Sequence, residues 1–370
     1  MNILFIANST GCYGANNSLL DMAKALMNKG INVTVMIPGH GEIVRELLKY
    51  NIYYYIIPYE CCASENITCD IKYKKIFENI TFLNDAAKIV KERNIDLIHT
   101  NASNVDFGAM LAVKCNLPHV WHVRELLYDD YKLKYDFPFM QRILFKKANS
   151  IISISDYVAK KRNCGKNSVT IYNGIDIQKY AIQKDVLLDE ESVNVLYCGQ
   201  IREEKGVMDA ILAIQNLVED GYYNYILNIV GEENEYSRNL ENYVKRNNID
   251  KWVCFHGHQS NVMNFRKRNN IAVMCSRSEA LGRVTIESML GECFVIGANC
   301  GATVELVQDG ETGYLYEAGN IKQLVEKLLL VYSDKEKSRA IIRNAKKFAL
   351  QHFDARNYVD KILELYSQIL

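Results

Sequence analysis

The segment "CSRSEALGRVTIESMLGE" (275–292) sets two carboxylates, Glu279 and Glu287, eight positions apart, with Gly282 and Arg283 between them. The apolar run Ile271–Met274 comes directly before it. Such a run reads as a buried strand, which makes Ser276–Leu281 the loop at its carboxyl end. Gly282 permits close backbone approach or an unusual φ. Val284–Leu290 carries the apolar stripe of a helix and closes on Gly291. Glu279 then sits in the loop, and Glu287 lies about one turn into the helix. Amides near Leu281–Val284 would aim at a phosphate, because helix starts present N–H groups to anions. Glu287 would accept from ribose hydroxyls, and Glu279 would reach a sugar hydroxyl. Two unrelated surface glutamates fit the spacing alone as well.

Two further turns carry comparable chemistry. "CGQIREEKG" (198–206) follows a buried strand and precedes a helix, with Arg202 and Lys205 on the loop. Cations at that place hold a diphosphate, although Glu203 and Glu204 also fit a solvated charge cluster. The first strand-to-helix turn, "ANSTGCYGANNSLL", carries Gly11 and Gly14. It lacks the G-x-G-x-x-G fingerprint of dinucleotide binding. The second strand ends at Ile37-Pro38 with no acidic residue to hold a ribose, which counts against a nicotinamide oxidoreductase.

The elements that must position these loops alternate along the chain. Short apolar runs at 2–7, 31–38, 53–58, 95–100, 119–123, 150–155 and 169–174 read as strands, with helices at 18–30 and 82–94. The pattern restarts at 193–199 and continues with strands at 225–231, 252–257, 271–276, 293–298 and 313–316. Helices at 207–219, 235–247 and 284–290 separate them. Three more helices fill 320–333, 335–352 and 354–370. Apolar strands alternating with helices indicate parallel sheets covered on both faces. The charged, aperiodic stretch 174–192 reads as a linker between two α/β domains.

The chain has 370 residues, enough for two domains, and its net charge is zero. That balance argues against a dedicated nucleic-acid binder. Residues 1–175 hold 21 Lys and Arg against 16 Asp and Glu, a mild excess that would suit an acidic surface. Within that half, "YKLKYDFPFMQRILFKKA" (131–148) mixes Lys132, Lys134, Arg142, Lys146 and Lys147 with apolar residues. It reads as an interfacial helix for an anionic membrane, interrupted by Pro138, or equally as a buried core helix. Eleven cysteines with no secretory signal point to a reducing cytosol. No apolar run approaches the ~20 residues that span a bilayer. The expected location is cytoplasmic, with peripheral contact at the inner membrane face as an option.

Taken together, the chain resembles the family-4 retaining glycosyltransferases of GT-B fold. The features that carry the resemblance are Gly11/Gly14, "HVWHVRE" (119–125), "SIISISD" (150–156) and "IYNGID" (171–176). "CGQIREEKG", "SRSEALGRVTIE" (276–287) and "VIGANCGATVELV" (295–307) complete it, in the family's order over nearly the full length. The resemblance implies two Rossmann-like domains facing a cleft: 1–175, on the acceptor side, and 176–353, binding the nucleotide sugar. The helix 354–370 would cross back to the first domain.

It also implies roles. Glu279 and Glu287 match the paired glutamates for donor sugar and ribose, and Lys205 the lysine that holds the diphosphate. Leu281, Gly282, Arg283 and Val284 match the loop whose amides meet sugar and phosphate. His122 matches the first-domain histidine near the donor sugar. Gln200 stands where the family often has arginine, and Arg202, two residues on, would take over that contact. Ala280 and Ala302–Val304 also depart from the usual pattern. The implied reaction moves a sugar from a nucleotide diphosphate sugar to a glycan or lipid-linked acceptor hydroxyl with retention, without cofactor or metal, since no Asp-x-Asp appears. Cell-surface polysaccharide synthesis is the expected setting. A GT-B nucleotide-sugar epimerase and a non-catalytic donor-binding partner of another transferase are the alternatives.

Overall fold

The structure, a computed structural model, describes residues 1–12, 14–182 and 192–370. They divide into two compact units. The first joins Met1–Asp176 to Phe353–Leu370, and the second is Ile177–His352.

The strands of the first unit are β1 (Asn2–Ile6), β2 (Asn32–Ile37), β3 (Tyr53–Ile56), β4 (Ala63–Ser64), β5 (Leu97–Thr100), β6 (His119–Val123), β7 (Lys134–Tyr135), β8 (Ser150–Ser153) and β9 (Ser168–Thr170). Among the described residues, seven pair in parallel in the order β3-β2-β1-β5-β6-β8-β9, and β4 pairs with β7 antiparallel. β1 is apolar at consecutive positions, and Ile3–Ile6 are fully buried, as a strand covered on both faces requires. Chain order reverses between β1 and β5, where open α/β sheets gather ligands at their carboxyl ends.

Helix Gly14–Asn28 lays Leu19, Leu20, Ala23 and Leu26 into the core over β1 and β2. Helix Ala355–Ile369 joins the same core through Tyr358, Val359, Ile362 and Tyr366, a single helical stripe. The chain's return is stitched beside its departure. Ile175 donates its amide to the Phe353 carbonyl at 2.7 Å, and Ala355 donates to the Ile175 carbonyl at 3.1 Å. A Cβ on Gly174 would lie 2.6 Å from the Ala355 Cα, so only glycine lets the two crossings touch.

The second unit holds β10 (Val193–Cys198), β11 (Tyr225–Val230), β12 (Val253–Phe255), β13 (Ile271–Met274), β14 (Phe294–Ala298) and β15 (Tyr314–Tyr316). They run parallel in the order β12-β11-β10-β13-β14-β15. Val195, Leu227, Ile229, Val273 and Ile296 pack with Leu217 of helix Val207–Glu219 and Leu324 of helix Ile321–Ser333. Each such side chain contributes roughly 2 kcal/mol by leaving water. Order reverses here between β10 and β13.

Some expectations fail locally. The helix read at 82–94 begins thirteen residues earlier, at Cys69, and runs to Glu92. Its first half buries only Asn79 and exposes Tyr73, Phe77 and Ile80, so no apolar stripe faces the core to announce it. Helix Phe107–Cys115 is buried over most of its circumference and lacks the amphipathic period. The stretch 131–148 is not one helix. It holds β7 and then helix Pro138–Lys147, in which proline opens the first turn instead of interrupting. Of the expected linker, Ile177–Tyr180 is a short helix, and 183–191 lie outside the described residues.

Candidate functional site

In the second unit the reversal of strand order brings together residues distant in sequence. β10 and β13 are parallel neighbours with Val195 opposite Ile271, so their following loops leave the same edge side by side. After β10, Glu203–Lys205 makes one 3-10 turn that ends at Gly206, with φ 65°. A Cβ there would collide with the Cys275 carbonyl. This glycine therefore presses the Lys205 turn onto the end of β13. The contact is reinforced where Arg277 donates its amide to the Glu204 carbonyl at 2.9 Å. Within this frame Lys205 Nζ donates to Glu279 Oε2 at 3.0 Å, both side chains about a quarter exposed (25% and 26%).

The loop after β14 fixes Glu279 from the other side. Ala302 donates its amide to the Glu279 carbonyl at 2.8 Å. Gly301, at φ 61°, lies so close that a Cβ would sit 2.7 Å from the Glu279 nitrogen. Gly282, at φ 91°, caps helix Arg283–Leu290, and its own Cβ would stand 3.3 Å from Glu279 Cγ. Leu281 is buried and Val284 half-buried. The backbone around Glu279 is thus held by three loops while its carboxylate and its partner lysine remain reachable from water.

Glu287 is placed differently. Its Oε2 accepts from Arg266 at 2.6 Å and its Oε1 from Arg283 Nε at 3.1 Å. Arg266, from helix Met263–Arg268, is fully buried, so this pair is desolvated on one side. Each carboxylate oxygen keeps a second lone pair for a hydroxyl donor. Arg283 reaches Glu287 along one helix face at i,i+4, a spacing visible in the sequence. Arg266 carries no such signal, and sequence reasoning missed it. Arg202 is exposed in extended backbone before the 3-10 turn, and it forms no ion pair among the described residues.

The first unit buries its polar residues. His122, on β6, is fully buried beside the fully buried His99 on β5. His99 Nε2 lies 3.2 Å from His122 Nδ1, and His99 Nδ1 lies 2.6 Å from the Tyr366 hydroxyl on the returning C-terminal helix. Arg124 reaches His122 Nδ1 at 3.3 Å, Asn101 Oδ1 at 2.9 Å and Asn173 Oδ1 at 2.5 Å. Glu125 accepts from the Ser103 amide at 2.6 Å, the Ser103 hydroxyl at 2.7 Å and the Asn104 amide at 3.2 Å. Burial, then the Arg124 charge, pushes both His99 and His122 well below the usual imidazole range. "HVWHVRE" flagged His122, but its partners His99 and Tyr366 emerge only from the fold. Gly14 opens helix Gly14–Asn28, and a Cβ on it would meet nothing within 4 Å. Asn16 braces the preceding turn by donating to the Gly11 carbonyl at 2.7 Å and the Ser9 carbonyl at 2.9 Å.

Among the described residues, no cluster of three His, Cys, Asp or Glu side chains could hold a metal ion. No described helix is long and apolar enough to cross a membrane. All eleven cysteines are free thiols.

With this geometry, the chain matches two family models. "Glycosyltransferase Family 4" matches residues 13–179, and "Glycosyl transferases group 1" matches residues 178–348. An uncharacterized glycosyltransferase of Methanocaldococcus jannaschii is 27% identical over 89% of this chain and 93% of its own. A Campylobacter jejuni enzyme is 24% identical over 100% of this chain and 99% of its own. It is an α-1,4-N-acetyl-D-galactosaminyltransferase acting on an oligosaccharide linked to undecaprenol diphosphate. Among solved structures, Anabaena Alr3699/HepE in complex with UDP superposes with a TM-score of 0.83 at 22% identity, over 100% of both chains. That likeness shows the GT-B fold, built from two Rossmann-like domains with parallel sheets.

Proposed function

The chain belongs to the family-4 glycosyltransferases, which move a sugar from a nucleotide sugar, and on that premise we propose a retaining, metal-independent transferase. Its second unit binds the donor, a UDP- or GDP-sugar, and its first unit serves the acceptor. The observation that carries this reading is the Lys205–Glu279 pair, clamped by three loops at the strand-order reversal. Ligands of open α/β sheets gather at that place.

Lys205 holds the diphosphate, joined by Arg202 and the amides of Leu281, Gly282, Arg283 and Val284. Glu279 orients the donor sugar, and Glu287 takes the ribose hydroxyls with its free lone pairs. Gly11, Gly14 and His122 are the first unit's site residues on this reading, supported by the family resemblance alone. In the reaction the bond from the anomeric carbon to the diphosphate oxygen breaks, and an acceptor oxygen bonds to the same face. The acceptor proton passes to the leaving phosphate oxygen. Negative charge grows on the diphosphate as it leaves, so fixed cations lower the barrier more than they tighten the ground state. Lys205 and Arg202 supply that charge from the protein itself, the role a metal plays in other transferases.

The setting we propose is cell-surface polysaccharide synthesis, with a glycan or lipid-linked acceptor. The Campylobacter relative's undecaprenol-linked substrate supports a lipid-linked acceptor. Peripheral contact with an anionic membrane fits it. Tyr73, Phe77 and Ile80 form an exposed stripe on helix Cys69–Glu92. The ring of Tyr73 lies 5.3 Å from Phe137, which caps the helix carrying exposed Phe139 and Ile143 and ending in Lys146 and Lys147. An apolar stripe beside cations suits a lipid surface of negative charge. Sedimentation with vesicles of anionic lipid tests this: binding at low salt is expected, and its absence there refutes the contact.

The central test is a thermal-shift screen of nucleotide sugars, since a ligand of the folded state raises the midpoint. It is followed by turnover after exhaustive EDTA treatment. Transfer that survives EDTA, with the product in the donor's anomeric configuration, is the expected outcome. Turnover abolished by EDTA and restored by Mg²⁺ or Mn²⁺ overturns metal independence. Donor converted without transfer to any acceptor would replace this reading with an epimerase.

A further inference from the structure

Two ion pairs join the same two segments of the second unit, with opposite polarity. In one, Lys205 from the turn after β10 meets Glu279 from the loop after β13. In the other, Arg277 from the loop after β13 meets Asp209, in the first turn of helix Val207–Glu219. Arg277 Nη2 donates to Asp209 Oδ1 at 3.0 Å. Each segment thus carries one cation and one carboxylate, close together in sequence, and gives both to the other segment.

The two pairs sit in different surroundings. Lys205 and Glu279 are both partly exposed, and such a pair opens at little cost. The Asp209 side chain is 5% exposed, and Arg277 is half-exposed. Burial raises the Asp209 carboxyl above its ordinary value, with the Arg277 charge opposing. Opening this second pair would leave a buried carboxylate without its cation, which is far more costly. Arg277 is also held on two further sides. Its amide donates to the Glu204 carbonyl at 2.9 Å. Gly319, at φ 83° in the turn after β15, lets the guanidinium come close, since a Cβ there would stand 2.9 Å from Arg277 Nη1.

We propose that Arg277 and Asp209 form a holding pair, which keeps the Glu279 loop docked on the Lys205 turn while Lys205 and Glu279 separate to take a diphosphate and a sugar hydroxyl. Arg277 and Asp209 are then positioning residues that touch no substrate themselves. Lys205 and Glu279 exchange partners without their loops drifting apart, because the second pair does not open with the first. The separation by a donor rests on the function proposed above. The docking of the two segments does not, and the two are tested apart.

Amide hydrogen exchange of the intact, unliganded chain reads the docking. The reporters are the amide at position 277, bonded to the Glu204 carbonyl, and the Ala302 amide, bonded to the Glu279 carbonyl. In Lys205→Ala both should exchange within about threefold of the wild-type rate. In Arg277→Ala and in Asp209→Asn both should exchange about tenfold faster or more, with the strand amides of β10 and β11 unchanged, since local opening is separable from global unfolding. Equal loosening in Lys205→Ala and Arg277→Ala overturns the division between the pairs. Full protection in Arg277→Ala overturns the holding role. Should Arg277→Ala not fold, Asp209→Asn gives the same reading, because it removes the buried charge together with the pair.

The consequence for binding is read by titrating UDP and GDP, each carrying a diphosphate, into the same variants. Whichever binds the wild type should bind Arg277→Ala and Asp209→Asn about tenfold more weakly, because a site no longer held in place must be ordered by its ligand. The double variant should be no weaker than either single one, since both remove the same contact. Arg277→Lys, which keeps the charge, should recover most of the affinity. Wild-type affinity in Arg277→Ala, or losses that add in the double variant, defeat the positioning role. Failure of both nucleotides to bind the wild type counts against the donor reading instead, and amide exchange then decides the holding pair.

Discussion

The two units handle charge in opposite ways. In the first, His99, His122, Arg124 and Glu125 are buried, and their partners are amides, hydroxyls and one another. In the second, Lys205 and Glu279 stay partly exposed and are held chiefly through their backbones. A buried network at low dielectric is rigid and costly to disturb. A partly exposed ion pair costs little to separate, so on the proposed reading its members would exchange one another for a ligand's phosphate and hydroxyls. The contrast assigns geometry to the first unit and exchange of partners to the second. Glu287 with Arg266 stands between them, a buried pair beside an exposed site.

The largest expected effect breaks that intermediate case. Arg266→Ala leaves the Glu287 carboxylate with Arg283 as its one ion-pair partner among those described, and should cost about 3 kcal/mol of stability. Urea denaturation measures it, and a loss below about 1 kcal/mol would mean the pair is solvated after all. Next comes Lys205→Ala. Loss of a cation aimed at the developing charge should cost roughly 3 kcal/mol in kcat/KM, a hundredfold or more, with an unchanged melting temperature. A variant that melts early and turns over normally would make Lys205 a structural residue.

The first unit should answer to acid. Burial holds His99 and His122 well below the ordinary imidazole value of about 6.5, and His119 at about 3. Their pKa values are thus lower folded than unfolded. Above 6.5 neither state is charged, and the histidines make no pH-dependent difference. As pH falls through 6.5 the unfolded chain takes up protons that the folded one refuses, and stability drops. Each histidine contributes about 1.4 kcal/mol per pH unit below that point. Asp106, which burial raises to about 6, opposes this, because the folded state binds its proton first as pH falls from about 6 toward 4. Three histidines outweigh one carboxyl. The Trp252→Phe variant leaves Trp121 of the first unit as reporter, and its denaturation midpoint should fall between pH 7.5 and pH 5.5. A flat profile would contradict burial of the histidines.

What the sequence made legible follows the same division. Strands buried on both faces announce themselves as apolar runs, and β10, β13 and β14 lie where those runs predict. The loops after them were legible as motifs, because glycines and charges at strand ends are rare enough to notice. Helix Cys69–Glu92 was half hidden because its first turns face outward with aromatic residues. Arg266 and Tyr366 were hidden altogether. Each acts through a contact made by tertiary packing, 21 residues from Glu287 and 267 residues from His99, and no local pattern encodes such a pairing.

The smallest effect sharpens the contrast at its exposed edge. Arg202 stands three residues before Lys205, in extended backbone, exposed, and without an ion pair among the described residues. Lys205 is held in place by Glu279, so on the proposed reading it would meet a diphosphate already positioned. Arg202 has no such partner. It must lose rotamer freedom on binding, which offsets part of any contact it makes, and its charge acts through water and salt. Its contribution to kcat/KM should therefore be about 1 kcal/mol, or roughly fivefold, against a hundredfold for Lys205. The salt dependence separates the two further. Raising ionic strength from about 50 to 500 mM should erase most of the Arg202→Ala effect, because an exposed charge is screened within a few ångströms there. The Lys205→Ala effect should persist in larger part, because Lys205 is only about a quarter exposed and is fixed at short range by Glu279. Steady-state kinetics of both variants at the two salt concentrations decide the matter. Equal losses, equally resistant to salt, would place Arg202 in the diphosphate site on the same footing as Lys205, and the family arginine replaced by Gln200 would then have a full substitute two residues away.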